Sequence, residues 1–342
     1  LSDTPPMSEK EETKKAGGLP KWARFAISFG LLGLILMKVD ISPLVKLMSG
    51  ASIPLVALAF LMIFVDQAVT AFAWGRMLAA GGYIIPYRDT LRVTLASDFI
   101  GLAIPSGMGA DMVRVVGLSR YIKNSSHALS SLFAFRVMGL GQTITIAAIV
   151  LIFFSDGLPR DPMFVLLKTM VISLFLLGIL GLLFMGRIER FLEVIAPKTR
   201  LEPLMLKVRD LYTTFLFYFS HKDALAAAFL GDLYVQFAKI LSIYVVALAL
   251  GFDVEPNAFF ILVPVVNILV LLPVSVAGLG VREGMYVILF AHLGLDAAQC
   301  LTMSLLGFGV NMLMVVAGGT VYLLFGFPNN EGLKRPGPDQ SS

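Results

Sequence analysis

Arg114 and Arg282 each stand nine positions after a proline, in Pro-Ser-Gly-Met-Gly-Ala-Asp-Met-Val-Arg and Pro-Val-Ser-Val-Ala-Gly-Leu-Gly-Val-Arg. Each has a carboxylate close by in sequence, Asp111 before the first and Glu283 directly after the second. Gly107 and Gly109 lie in the first string, Gly278 and Gly280 in the second. Proline and glycine stop a helix and leave backbone N–H and C=O groups unpaired, which is tolerable at membrane depth only where protein or a wet cavity covers them. The helix that resumes points its positive end at the gap, and an arginine in its first turns adds a forked, charge-assisted donor. That combination suits a phosphate or carboxylate. The same arginines also fit snorkelling at an interface, or closing the fold by pairing with Asp111 and Glu283.

Other polar residues fall inside apolar runs. Arg136 lies about two turns into one of them, where an unpaired charge is costly, so a partner such as Asp98 or Asp111 or a lipid phosphate is expected. Asp232, Gln236 and Lys239 share one helix face at i, i+4 and i+7. That face either lines a polar cavity and couples to protons, or holds an Asp–Lys pair that locks two helices together. Asp66, Gln67, Asn267 and Asn311 read as interhelical hydrogen-bonders. With one cysteine and three scattered histidines, no internal disulfide, metal site or other cofactor is expected, and no Walker-type loop is present.

The elements that must position these residues are membrane helices. Of 342 residues 57% are hydrophobic and only 15% charged, and the mean hydropathy is +0.84, which excludes a water-soluble globule of this size. Runs at about 22–39, 53–73, 128–154, 163–185, 224–250 and 300–325 are each long enough to cross roughly 30 Å of hydrocarbon. Residues 90–120 and 258–293 are apolar but interrupted by the two Pro/Gly strings. The fold class is therefore an all-α polytopic membrane protein with about six full transmembrane helices plus two broken or re-entrant helical hairpins, in a candidate inverted repeat. The net charge of +4 is spread over loops and makes no nucleic-acid patch. Basic residues gather in the N-terminal tail, after the second run, and between the fourth and fifth, which places both termini in the cytoplasm. Segments 1–21 and 328–342 read as disordered cytoplasmic tails, and 186–222 as a cytoplasmic amphipathic segment, interfacial or packed on the bundle.

The strings Ile104–Arg114, Leu118-Ser119-Arg120, Phe135–Leu140 and Gly278-Leu279-Gly280-Val281-Arg282-Glu283-Gly284 resemble the transmembrane domain of lysylphosphatidylglycerol synthases and their stand-alone flippase-like relatives, over about residues 20 to 325. The Gly-Asp-Val-Arg and Asp-Arg patterns common in that family stand here as Ala110-Asp111-Met112-Val113-Arg114 and Phe135-Arg136, so Arg136 lacks the adjacent carboxylate. The resemblance implies movement of a lipid across the bacterial cytoplasmic (inner) membrane, in one branch an aminoacylated phosphatidylglycerol. The lipid phosphate would rest on Arg114, Arg136 and Arg282. No soluble aminoacyl-transferase domain follows the last run, so the expected partners are a phospholipid or lipid-linked substrate and a separate lipid synthase or glycosyltransferase. Two other readings compete: an enzyme on a lipid-linked substrate with Asp111 or Glu283 as acid/base, and a scaffold that recruits a synthase through its basic segment.

Overall fold

A backbone immersed in lipid must close its hydrogen bonds within its own segment, and every described element of this chain is a helix. The computed structural model describes residues 41–102, 104, 109–119, 125–153, 161–184, 217–218, 221–270 and 278–327. Ten helices fall in them: α1 (Ile41–Ser49), α2 (Ile53–Ala80), α3 (Tyr87–Leu102), α4 (Gly109–Ser119), α5 (Ser125–Phe153), α6 (Pro162–Leu183), α7 (Lys222–Ala249), α8 (Pro256–Val270), α9 (Val281–Ala291) and α10 (Ala297–Phe325). Five of them, α2, α5, α6, α7 and α10, are long and apolar enough to cross a membrane. They coincide with five of the six apolar runs; the first run, both tails and all of segment 186–222 except residues 217–218 and 221–222 lie outside the described residues. Large apolar side chains such as Leu61, Phe64, Leu166, Leu177 and Leu323 face outward, a surface that only lipid would solvate well. The protein is a polytopic helical membrane protein.

Each interrupted segment gives two short described helices, α3 and α4 in the first and α8 and α9 in the second. Helices of 16 and 11 residues, or 15 and 11, reach roughly 24, 16 and 22 Å, each short of the hydrocarbon thickness. Glycine sets the first hairpin: a Cβ on Gly101 would strike the backbone nitrogen of Ala110, so the end of α3 and the start of α4 touch main chain to main chain. In the second, Gly278 has a φ of +74° and a Cβ there would lie 2.5 Å from Val270 Cγ1. This hairpin contributes Phe259, Leu262, Val266, Leu289 and Phe290 to the apolar core, where Met303 of α10 is buried with them.

The helices repeat. In chain order α2–α5 have 28, 16, 11 and 29 residues, and α7–α10 have 28, 15, 11 and 29. Their packing repeats as well. Exchanging α2 with α7, α3 with α8, α4 with α9 and α5 with α10 maps each substantial contact among these eight onto another: α3–α10 onto α8–α5, α4–α5 onto α9–α10, α2–α10 onto α7–α5. The flanking helices obey it too, since α6 packs on α5 and α1 on α10. The most extensive contact, α2 against α7, maps onto itself. These two run antiparallel: Ser52 N–H at the start of α2 donates to Ala249 O at the end of α7 (2.8 Å), while Arg76 and Ala80 share a cavity with Lys222 and Ala224 at the other end. One hairpin therefore starts from one end of the α2/α7 pair and the second from the opposite end, the arrangement of an inverted repeat.

Candidate functional site

Helix α3 carries more hydroxyls than a lipid-facing helix would. Thr94 and Ser97 are buried, and each returns its hydroxyl to the carbonyl four residues back, at 2.9 and 2.5 Å. The next residue, Asp98, reaches outward and begins a chain of charges across four helices. Gln67 of α2 donates to Asp98 Oδ2 at 2.6 Å, and Arg114 of α4 donates to Asp98 Oδ1 at 2.9 Å. Arg114 also meets Asp111 Oδ1 at 3.4 Å, and Arg136 of α5 closes on Asp111 Oδ2 at 2.7 Å. The missing adjacent carboxylate of Arg136 is thus replaced by one from the hairpin. The side chain of Asp111 is only 5% exposed, whereas that of Arg136 is 45% exposed. One arm of the network is sealed and the other open.

Helix α7 adds a second group to the same centre. Gln236 donates to Asp232 Oδ2 at 3.3 Å, and Asp232 lies against Gly139 of α5, where a Cβ would come within 3.0 Å of its Oδ1. Asp66, midway along α2, is 6% exposed, and its Oδ1 accepts no hydrogen bond among the described residues. Lys239 acts electrostatically on both Asp66 and Asp232. No described ion pair joins it to either within 4 Å, so the Asp–Lys lock is not what the face is built for: the side chain of Lys239 is exposed and Gln236 takes the carboxylate instead. Asn311 also departs from the sequence expectation, because its amide is satisfied by Gly307 O of its own helix at 3.1 Å.

The second hairpin presents a tighter cluster. Glu283 is wholly buried; it accepts from Gly280 N–H at 2.6 Å and from Arg282 Nε at 3.1 Å, and Arg282 Nη2 closes on the same carboxylate. Ser304 of α10 stands 3.3 Å from Arg282 Nε, and the guanidinium lies 4.6 Å above the Phe308 ring. Gly280, with a φ of +80°, caps the N-terminus of α9. Gly109 begins α4 in the first hairpin, and Gly107 lies outside the described residues.

The equal spacing of the two arginines does not make them equivalent. Helix α4 starts four residues after Pro105 and α9 eight after Pro273, so Arg114 is the sixth residue of its helix and Arg282 the second. The residues in register are the acids: Asp111 and Glu283 are both third in an eleven-residue helix, where its positive end favours a carboxylate. Gln67 and Gln236 are both fifteenth in theirs, and Asp98 and Asn267 both twelfth. Arg136 and Phe308 are likewise both twelfth in α5 and α10. The first half has a second guanidinium where the second half has an aromatic ring. Ser304, Phe308 and Gly139 escaped the sequence reading because a serine, a phenylalanine and a glycine in an apolar run carry no signal until the partner helix is placed.

Buried carboxylates alternating with guanidinium groups on short helices, inside a bundle of lipid-facing spans, define a membrane protein with a polar centre at bilayer depth. The model of the lysylphosphatidylglycerol synthase TM region matches residues 21–319, and the chain belongs to that family. The chain is also similar to the UPF0104 membrane protein PH1989 of Pyrococcus horikoshii, 24% identical over 312 residues that cover 84% of this chain and 92% of the relative.

Proposed function

We propose that the chain is a lipid translocase that carries an anionic or aminoacylated phospholipid, or a related lipid-linked headgroup, across the cytoplasmic membrane while the acyl chains stay in the bilayer. The observation that carries this reading is Arg136, a half-exposed guanidinium at membrane depth held by a carboxylate it shares with a buried arginine. A lipid phosphate arriving at this fork displaces one ion-pair contact and leaves Asp111 on Arg114. Family membership supports a membrane-lipid role. The end of the bundle with Arg76, Arg88 and Lys222 is then cytoplasmic by the positive-inside rule, and the first hairpin re-enters from that leaflet, the second from the other. Transport without bond chemistry fits the acids, since Asp111 and Glu283 are both engaged by arginine, and Ser304, whose hydroxyl donates to Glu283 Oε1 at 3.4 Å, is buried. A separate synthase or glycosyltransferase supplies the lipid.

Reconstitution into liposomes with labelled phosphatidylglycerol, lysyl-phosphatidylglycerol and a polyprenyl phosphate tests this. At least one of the three is expected to change leaflet faster than in empty vesicles, with its mass unchanged. Equal rates across the panel would overturn the reading, and a change of lipid mass would make the protein an enzyme.

A further inference from the structure

We propose that Asp66 is a proton-binding site at the centre of the bundle, loaded when a phosphate-bearing headgroup occupies Arg114 and Arg136. The linkage to a headgroup rests on the function proposed above; the proton site itself does not. The charged groups around Asp66 come from every helix that builds the centre. Asp98 on α3, Arg114 on α4, and Asp232 and Lys239 on α7 act on it; Asp111 on α4 and Arg136 on α5 join the same network through the ion pairs Arg114–Asp111 and Asp111–Arg136, and Gln67 and Gln236 bond Asp98 and Asp232. Four carboxylates with Asp66 included face three cations, which leaves the centre one negative charge in excess when all are ionised.

The excess has one place to be neutralised. Asp98 is held by Gln67 and Arg114, Asp111 by two arginines and Asp232 by Gln236. Two buried oxygens of these four carboxylates, Asp66 Oδ1 and Asp111 Oδ2, accept no hydrogen bond among the described residues; Asp111 Oδ2 lies 2.7 Å from Arg136 Nη2, which leaves Asp66 Oδ1 as the one with neither a hydrogen bond nor an ion pair among those residues. A carboxylate buried to this degree without a partner is costly to keep ionised, and a proton on Oδ1 removes the cost. A metal cation is a poorer occupant, because no group of three or more His, Cys, Asp or Glu side chains converges among the described residues and the arginines stand between the acids. In the step itself a hydronium ion of the bulk solvent gives its proton to Asp66 Oδ1: one O–H bond of hydronium breaks, the O–H bond of the carboxylic acid forms, water is left behind, and on release the proton returns from the same oxygen to water.

A headgroup phosphate brings further negative charge to a centre already in excess by one. Protonation of Asp66 removes one such charge, so each event favours the other by the same factor. Acid pH therefore tightens phosphate binding, and the lipid carries a proton with it.

The test uses the purified protein in detergent with short-chain phosphatidylglycerol as the probe, at about pH 6 and about pH 8. Wild type is expected to bind about tenfold tighter at the acid pH and to take up about one proton per lipid, read by a pH indicator in weak buffer. Asp66→Asn is expected to bind equally at both. Binding that depends on Arg136, tested with Arg136→Gln, but shows neither pH dependence nor proton uptake would overturn the coupling and leave the headgroup site standing. Binding indifferent to Arg136→Gln would overturn the headgroup site instead. The proton site is then judged by infrared difference spectra between the two pH values, which are expected to show one protonated-carboxyl band that Asp66→Asn removes. No such band in wild type would overturn the proposal, and Asp66→Glu, which keeps the carboxyl group, must shift the band if Asn disrupts folding.

Discussion

Arg136 and Glu283 represent opposite uses of charge in lipid. Arg136 is half-exposed and shares Asp111 with Arg114, so its removal leaves the buried carboxylate paired. Arg136→Gln is expected to lower lipid transport at least about tenfold while the melting temperature in detergent moves by no more than about 3 °C, measured on the same preparation. Glu283 is wholly buried and holds Arg282 and the N–H of Gly280, which caps its helix. Glu283→Ala strands a guanidinium in the core and is expected to cost about 3 to 5 kcal/mol in denaturant unfolding. Sequence reasoning found both residues and offered Asp98, Asp111 or a lipid phosphate as the partner of Arg136, because an intramembrane charge demands a counter-charge; the structure places Asp111 there. It read Asp66 as an interhelical hydrogen-bonder, since a carboxylate near a glutamine in an apolar run carries that signal. Only the placed helices reveal that Gln67 reaches Asp98 while Oδ1 of Asp66 has no donor among the described residues.

The hairpins depend on glycine where main chains meet. Gly101→Ala drives a methyl group into the Ala110 backbone and is expected to destabilise the protein by about 1 to 3 kcal/mol and to lower transport, by separating Asp98 from Arg114. Gly141→Ala, on α5 with nothing within 4 Å of the added carbon, is the matched control and is expected to leave both unchanged. Comparison of melting temperatures and flux in the two variants checks the pair. The five described spans were legible because uninterrupted hydrophobicity over the needed length has one solution in a bilayer. Helix α1 was not, since nine residues with Lys46 near the end resemble a loop beside a span. The first residues of α4 and α9 were also unreadable: proline marks that a helix stops, and says nothing of how many residues pass before the next begins.

At the scale of the whole molecule the two hairpins start from opposite ends of the α2/α7 pair. A cysteine at Ile84, exposed in the α2–α3 turn, and one at Asp253, exposed in the α7–α8 turn, are expected to react with a membrane-impermeant thiol reagent from opposite sides of oriented vesicles. Cys300 is fully buried and should stay silent, so no cysteine-free background is needed. Labelling of both from one side would refute the inverted arrangement. The repeat was visible in the sequence as two Pro-to-Arg strings, which proved to be the wrong correspondence; equal helix lengths and exchanged contacts carry it instead. The same register sets Phe308 opposite Arg136, so the halves match in shape and differ in grip. A carrier with unequal grips cannot by that inequality alone concentrate its cargo, because the half-saturation densities and maximal rates of the two directions are bound together by a Haldane relation. In the translocase proposed above the inequality would be kinetic: the leaflet served by two guanidinium groups would saturate at sparse lipid and turn over slowly, and the other would need dense lipid and turn over fast.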